Sequence, residues 1–235
     1  YNLVKKLTVK LQKNFRFVCV KFYFMKRLCF VISMLISTAC FAQYEYRDSN
    51  RIGIFFGINQ FTLNTNNFQT KPDTGWNAGL SMRGNFYNDW DMVYAIQFSE
   101  NNFSVATIGG FITEDTNYKL PSAQISLMWS YKIVENHLSL EFGPLVQING
   151  KLKVDQDQEN NIISGTTLLA KDIVDISQFN FYPVVGITAG VRHIRLNVSY
   201  QYGINNMLGN LNNKNLGYNF KGNPGILNGN LIIYL

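Results

Sequence analysis

His137 and His193 are the only imidazoles in the chain. Neither belongs to a His-x-x-His or Glu-flanked pair, the spacing that sets ligands and a base around zinc. The run Asp155-Gln156-Asp157-Gln158-Glu159 spaces carboxylates as a weak calcium binder would. It lacks the glycine and the terminal glutamate of a calcium loop, so a solvated acidic loop is expected. No Gly-x-Ser-x-Gly is present. Ser199 and His193 come nearest to a Ser/His nucleophile pair, yet along one strand they would lie about 20 Å apart. That is far beyond the reach of proton transfer. No glycine has the context of a phosphate loop. Catalytic, cofactor-binding and metal residues are therefore all expected to be absent, with no cofactor and no enzymatic activity.

Cys19, Cys29 and Cys40 lie within the first 42 residues, so the rest of the chain has no thiol for a disulfide or a metal site. Charge divides the same way. The formal net charge is +6 over 235 residues. Residues 1–42 carry eight Lys or Arg and no acid, leaving thirteen basic against fifteen acidic residues in 43–235, a net of −2. A nucleic-acid partner needs a basic surface on the folded domain, and this excess belongs to the leader.

Met25-Lys26-Arg27 reads as a positive n-region, Leu28 to Ile36 as a short apolar run, and Cys40 and Ala42 as small residues before cleavage at Gln43. That is the build of a secretory signal. Residues 1–24 precede the first methionine and read as an upstream extension. The expected organisation is thus 1–24 spurious or untranslated, 25–42 signal peptide and 43–235 one β domain.

The charged residues that remain need elements to position them, and period-two alternation supplies these. Ile194, Leu196, Val198, Tyr200 and Tyr202 oppose Arg195, Asn197, Ser199 and Gln201. A strand sends successive side chains to opposite faces, so this stretch has one apolar and one polar face. The split recurs near 52–59, 76–86, 91–99, 123–132, 137–148 and 227–235, and most weakly over 181–190, where Pro183, Gly186 and Gly190 interrupt it. Eight strands of about ten to thirteen residues are expected, long enough to cross a bilayer tilted. Links near 88–90, 134–136 and 191–193 are short, and those near 63–74, 102–120, 151–180 and 204–224 are long. This alternation predicts an all-β fold, an eight-stranded antiparallel up-and-down transmembrane β-barrel, with tight periplasmic turns and long outer loops.

Apolar faces would then meet lipid, and polar faces would line the lumen. Arg83, Asp91, Lys132, Glu141 and Arg195 would form a lumenal charge cluster. Mixed signs can pair across strands and plug the centre, so structural salt bridges are expected in preference to an ion path. Tyr87, Trp90, Tyr131 and Tyr234 are expected at the periplasmic rim, and Trp76, Tyr182 and Tyr202 at the outer one.

The ordered set Arg51-Ile-Gly-Ile-Phe-Phe-Gly-Ile58, Leu140-Glu-Phe-Gly-Pro144, Gly186-Ile-Thr-Ala-Gly190, Leu196-Asn-Val-Ser-Tyr-Gln-Tyr-Gly203 and Asn228-Gly-Asn-Leu-Ile-Ile-Tyr-Leu235 resembles the PorT-like outer-membrane β-barrel proteins of Bacteroidetes. The resemblance covers about 44–235. It implies an eight-stranded membrane barrel, in some members linked to secretion or gliding machinery, and carries no site residues. The expected function is a non-enzymatic outer-membrane barrel with a structural, adhesive or secretion-associated scaffold role. Expected partners are outer-membrane lipid, the barrel-assembly machinery, and a protein or surface ligand held by the long loops. A narrow channel is the first alternative. A soluble periplasmic lipid-binding barrel is the second, and it predicts apolar side chains inside.

Overall fold

A computed structural model describes residues 50–110, 112–214 and 216–235. The signal and upstream segments expected over 1–42 lie outside the described residues. The alternating stretches form β1 (Arg51–Thr65), β2 (Thr70–Tyr87), β3 (Trp90–Gly109), β4 (Ile112–Val134), β5 (Leu138–Asn149), β8 (Phe179–Gly190), β9 (Ile194–Tyr202) and β10 (Gly222–Tyr234). Two-residue strands β6 (Lys153–Val154) and β7 (Ile162–Ile163) lie between β5 and β8 in the chain.

The eight long strands pair antiparallel with their sequence neighbours. The last then pairs with the first, from Gly53↔Tyr234 to Thr65↔Gly222. The result is a closed ring, which leaves no strand edge for another chain to pair with. The interrupted stretch 181–190 lies within one continuous strand. There Pro183 stands opposite Pro144, so the two residues that lack an amide hydrogen share one rung.

The faces are sorted with polar side chains in and apolar side chains out. Ile58 is 66% exposed and Leu196 61%, whereas Arg83 is 1% exposed. Ile54, Phe98, Ile125, Phe181, Val198 and Leu227 continue the outward belt. A soluble lipid-binding barrel requires the reverse order across its belt, so that alternative is overturned. The aromatic assignments need two corrections. Trp90 does pack on Tyr131 and Phe142 on the outer surface, at centroid distances of 5.0 and 6.0 Å. Tyr234 and Tyr182, expected at the rims, point inward and are buried. Each follows from parity, because Ile233 and Phe181 beside them face out.

The links differ more. Three short turns cover 88–89, 135–137 and 191–193. Asn88 and Asn136 take positive φ there, 45° and 60°, which Asn tolerates better than other side chains. The link expected over 102–120 is instead a hairpin. β3 and β4 stay in register from Trp90↔Tyr131 to Gly109↔Ile112. Its alternation is hidden because both faces are covered: Phe103, Ser104, Val105 and Ala106 are all buried in succession. The link near 63–74 shrinks to residues 66–69. Strand lengths accordingly reach 23 residues rather than thirteen. Only 150–178 and 203–221 remain long connections.

Gly79 shows how tightly the wall closes. It faces Phe55 across the β1–β2 pair. A Cβ there would stand 2.2 Å from the Ile96 carbonyl oxygen and 2.8 Å from Phe55 Cζ. Phe55 thus turns its ring inward over the glycine, the one large apolar residue of its stretch to do so. Gly79→Val is expected to abolish the heat-modifiable folded band on unboiled gels. Gly229→Ala should retain that band, since a Cβ at Gly229 meets nothing within 4 Å.

Candidate functional site: a lumen filled in layers

Cross-strand register builds the site. Asp91 faces Ser130, and Ser130 faces Glu141, giving one polar row across β3, β4 and β5. Arg83 reaches into this row from β2. Its Nη1 donates to Asp91 Oδ2 at 3.1 Å and to Ser130 Oγ at 2.8 Å. Its Nη2 donates to Glu141 Oε1. Lys132 Nζ lies 3.4 Å from Asp91 Oδ1. Asn197 Nδ2 donates to Glu141 Oε2 at 3.1 Å. Four of the five residues expected in the lumen, Arg83, Asp91, Lys132 and Glu141, therefore form one ion-paired group. Arg195 is also inside and 3% exposed, but its Nε and Nη1 have no hydrogen-bond partner.

The mouth at the short-turn end is crossed by Arg51. Its Nη1 donates to the Arg192 carbonyl at 2.9 Å and its Nη2 to Asn136 Oδ1 at 3.1 Å. These bonds tie two turns together across the opening.

A second row lies further along the lumen. Gln97 faces Gln124, and Gln124 faces Gln147. Gln97 Nε2 donates to Gln124 Oε1, and Gln124 Nε2 to Gln147 Oε1, both at 2.5 Å. Asn149 Nδ2 continues to Asn180 Oδ1 at 2.8 Å. Sequence reasoning placed these glutamines on polar faces but missed their connection. The signal was present: Asp91 to Gln97 is six residues forward, Ser130 to Gln124 six back, and Glu141 to Gln147 six forward. Antiparallel neighbours must count in opposite directions to reach the same level. Six residues correspond to about 20 Å of strand. Between the two rows lies a cavity of about 60 Å³, touched by Ser81, Glu141, Asn197 and Gln201. That is room for a few water molecules.

The long-loop end is apolar inside. Phe103 stacks on Tyr118 at a centroid distance of 5.1 Å and lies tilted against Phe61 at 5.5 Å. Residues of both long connections close over them, among them Ile163, Ile173, Met207 and Phe220. β7 pairs with β3, and β6 with β4. The Tyr118 hydroxyl donates to the Ala170 carbonyl at 2.9 Å. This plug was not legible in the sequence, because its residues are scattered through stretches without period.

The other candidates stay apart. His137 and His193 are exposed on turns, whereas Ser199 points into the lumen, so no Ser/His pair is assembled. Asp155 and Asp157 are exposed. Among the described residues no group of three or more His, Cys, Asp or Glu could hold a metal ion.

Removing one member of a buried ion pair strands its partner, at a cost of about 3–5 kcal/mol. Arg83→Ala is expected to lose stability on that scale, read as a lower urea midpoint for the folded band. Lys71→Ala, at the exposed Lys71–Asp115 pair, should change it by less than about 1 kcal/mol.

The outer membrane protein beta-barrel domain family matches residues 41–209. No curated protein matches the chain. Among solved structures it is similar to Ail, the attachment invasion locus protein of Yersinia pestis, at 12% identity and a TM-score of 0.48, covering 80% of this chain and 99% of that one. Neisserial surface protein A aligns at 13% identity and 0.44, over 77% and 96%. OprG from Pseudomonas aeruginosa aligns at 8% and 0.41, over 79% and 94%. With a family match over more than half of its length, this chain belongs to the outer membrane protein beta-barrel domain family, and its location is the outer membrane.

Proposed function

We propose that this protein is a sealed, non-enzymatic barrel that serves the outer membrane as a scaffold, with a structural, adhesive or secretion-associated role. One observation carries the reading: the lumen is occupied along its length by an ion-paired row, an amide row and an apolar plug. A narrow eight-stranded ring has little interior to spare once side chains fill it. With no path left through the middle, function falls to the two ends and the outer wall. The short turns and both ends of the β domain face the periplasm in this reading, and the 150–178 and 203–221 connections face outward. Those connections are packed against the β3–β4 hairpin, so they offer a fixed surface to a protein or surface ligand. The ordered segments that resemble the PorT-like proteins favour a secretion-associated scaffold within that range. Lipid and the barrel-assembly machinery complete the expected partners.

The purified protein in planar bilayers is expected to give no reproducible single-channel steps. Steps that vanish on charge reversal at Arg83 or Arg195 would establish the narrow channel instead. Loosening the plug should also be visible. Phe103→Ala removes a buried ring, which costs about 3–5 kcal/mol, and should make residues 150–178 newly cleavable by added protease.

A further inference from the structure

Counted over the described residues alone, the short-turn end of the lumen holds more cationic groups than carboxylates. Among the described residues, Arg51, Arg83, Lys132 and Arg195 face only Asp91 and Glu141 there. Both carboxylates are already committed. Asp91 is shared by Arg83 and Lys132. Glu141 takes Arg83, Ser130 and Asn197. Arg51 spends both terminal nitrogens on neutral oxygens. Arg195 is left with Nε and Nη1 unpartnered at 3% exposure. A buried cation of this kind is costly unless a counter-charge reaches it.

We infer that Arg195, with Arg51 across the same mouth, binds a small inorganic anion of the halide class inside the short-turn end of the lumen. The Nε–H and Nη1–H left unpartnered lie on opposite edges of the guanidinium plane, so either can donate to an anion seated at its edge. The narrow interior favours a monatomic ion over a tetrahedral oxyanion. The site is separate from the ion-paired row, whose carboxylates face Arg83 and Lys132, and it goes beyond the scaffold reading, since a sealed barrel requires no bound ion.

The full chain, folded in detergent, should unfold at a higher temperature in sodium chloride than in sodium gluconate at equal ionic strength. The rise should saturate with chloride, as expected for a ligand that binds only the folded state. Arg195→Gln should erase the difference between the two salts, whereas Lys71→Gln should keep it. Equal midpoints for the unsubstituted protein, or an unchanged difference in Arg195→Gln, would overturn the inference. Should Arg195→Gln fail to fold, chloride-35 linewidths of the unsubstituted protein decide. Excess broadening removed by bromide supports the site. Broadening no greater than that of empty micelles, or broadening that bromide leaves in place, rejects it.

Discussion

Inside a bilayer no water is available to a backbone amide, so each strand must find its hydrogen bonds in another strand. The seam between β10 and β1 meets that demand for the whole ring. Once those strands meet, every long strand has two neighbours, and the direction of every side chain is set by its parity along the chain. The inward course of Tyr234, the outward course of Ile233 and the burial of Arg83 are consequences of closure rather than separate choices. Closure also concentrates polar groups in a space too narrow to hydrate them fully. The pairing of Arg83 with two carboxylates answers that problem.

The lumen changes character along its axis. At the short-turn end, charge and charge-assisted hydrogen bonds hold five strands together. Midway, amides replace charges, with Gln124, Gln147 and Asn149 each serving as donor to one neighbour and acceptor from another. At the far end, aromatic and aliphatic side chains pack as they would in a soluble core. The third zone lies where strands extend furthest and where chain returns over the opening, so covering both faces of the β3–β4 hairpin becomes possible. Apolar inward residues are tolerated there because folded connections supply their partners.

Much of this was legible before any coordinates. Alternation along residues such as Ile194 to Tyr202 marked the strands and separated lipid-facing from lumenal positions. Short polar links marked the turns, with Asn88 and Asn136 at the positions of positive φ. The hairpin beyond Asn101 was not legible, because Phe103, Ser104, Val105 and Ala106 are buried in succession and show no single-sided pattern. The plug was hidden for a related reason: Ile173, Met207 and Phe220 meet only through the tertiary fold. Tyr234 and Tyr182 were misplaced by residue type, where parity with Ile233 and Phe181 gave the better guide. Among the charges, sequence offered the set without the partners, and Arg195 shows how much the partners matter.

The six-residue interval between the charged and amide rows has a meaning for assembly. Sliding one strand past its neighbour by a single residue would exchange its faces, and lipid would reject it. Sliding by two keeps every apolar residue outside, so the hydrophobic pattern cannot detect it. The two polar rows can. A two-residue slip between β3 and β4 would part Asp91 from Ser130 and Gln97 from Gln124 together, leaving unmatched groups at two levels of a narrow interior. The rows thus work as a double lock on alignment, selecting one arrangement among those that the membrane itself would accept.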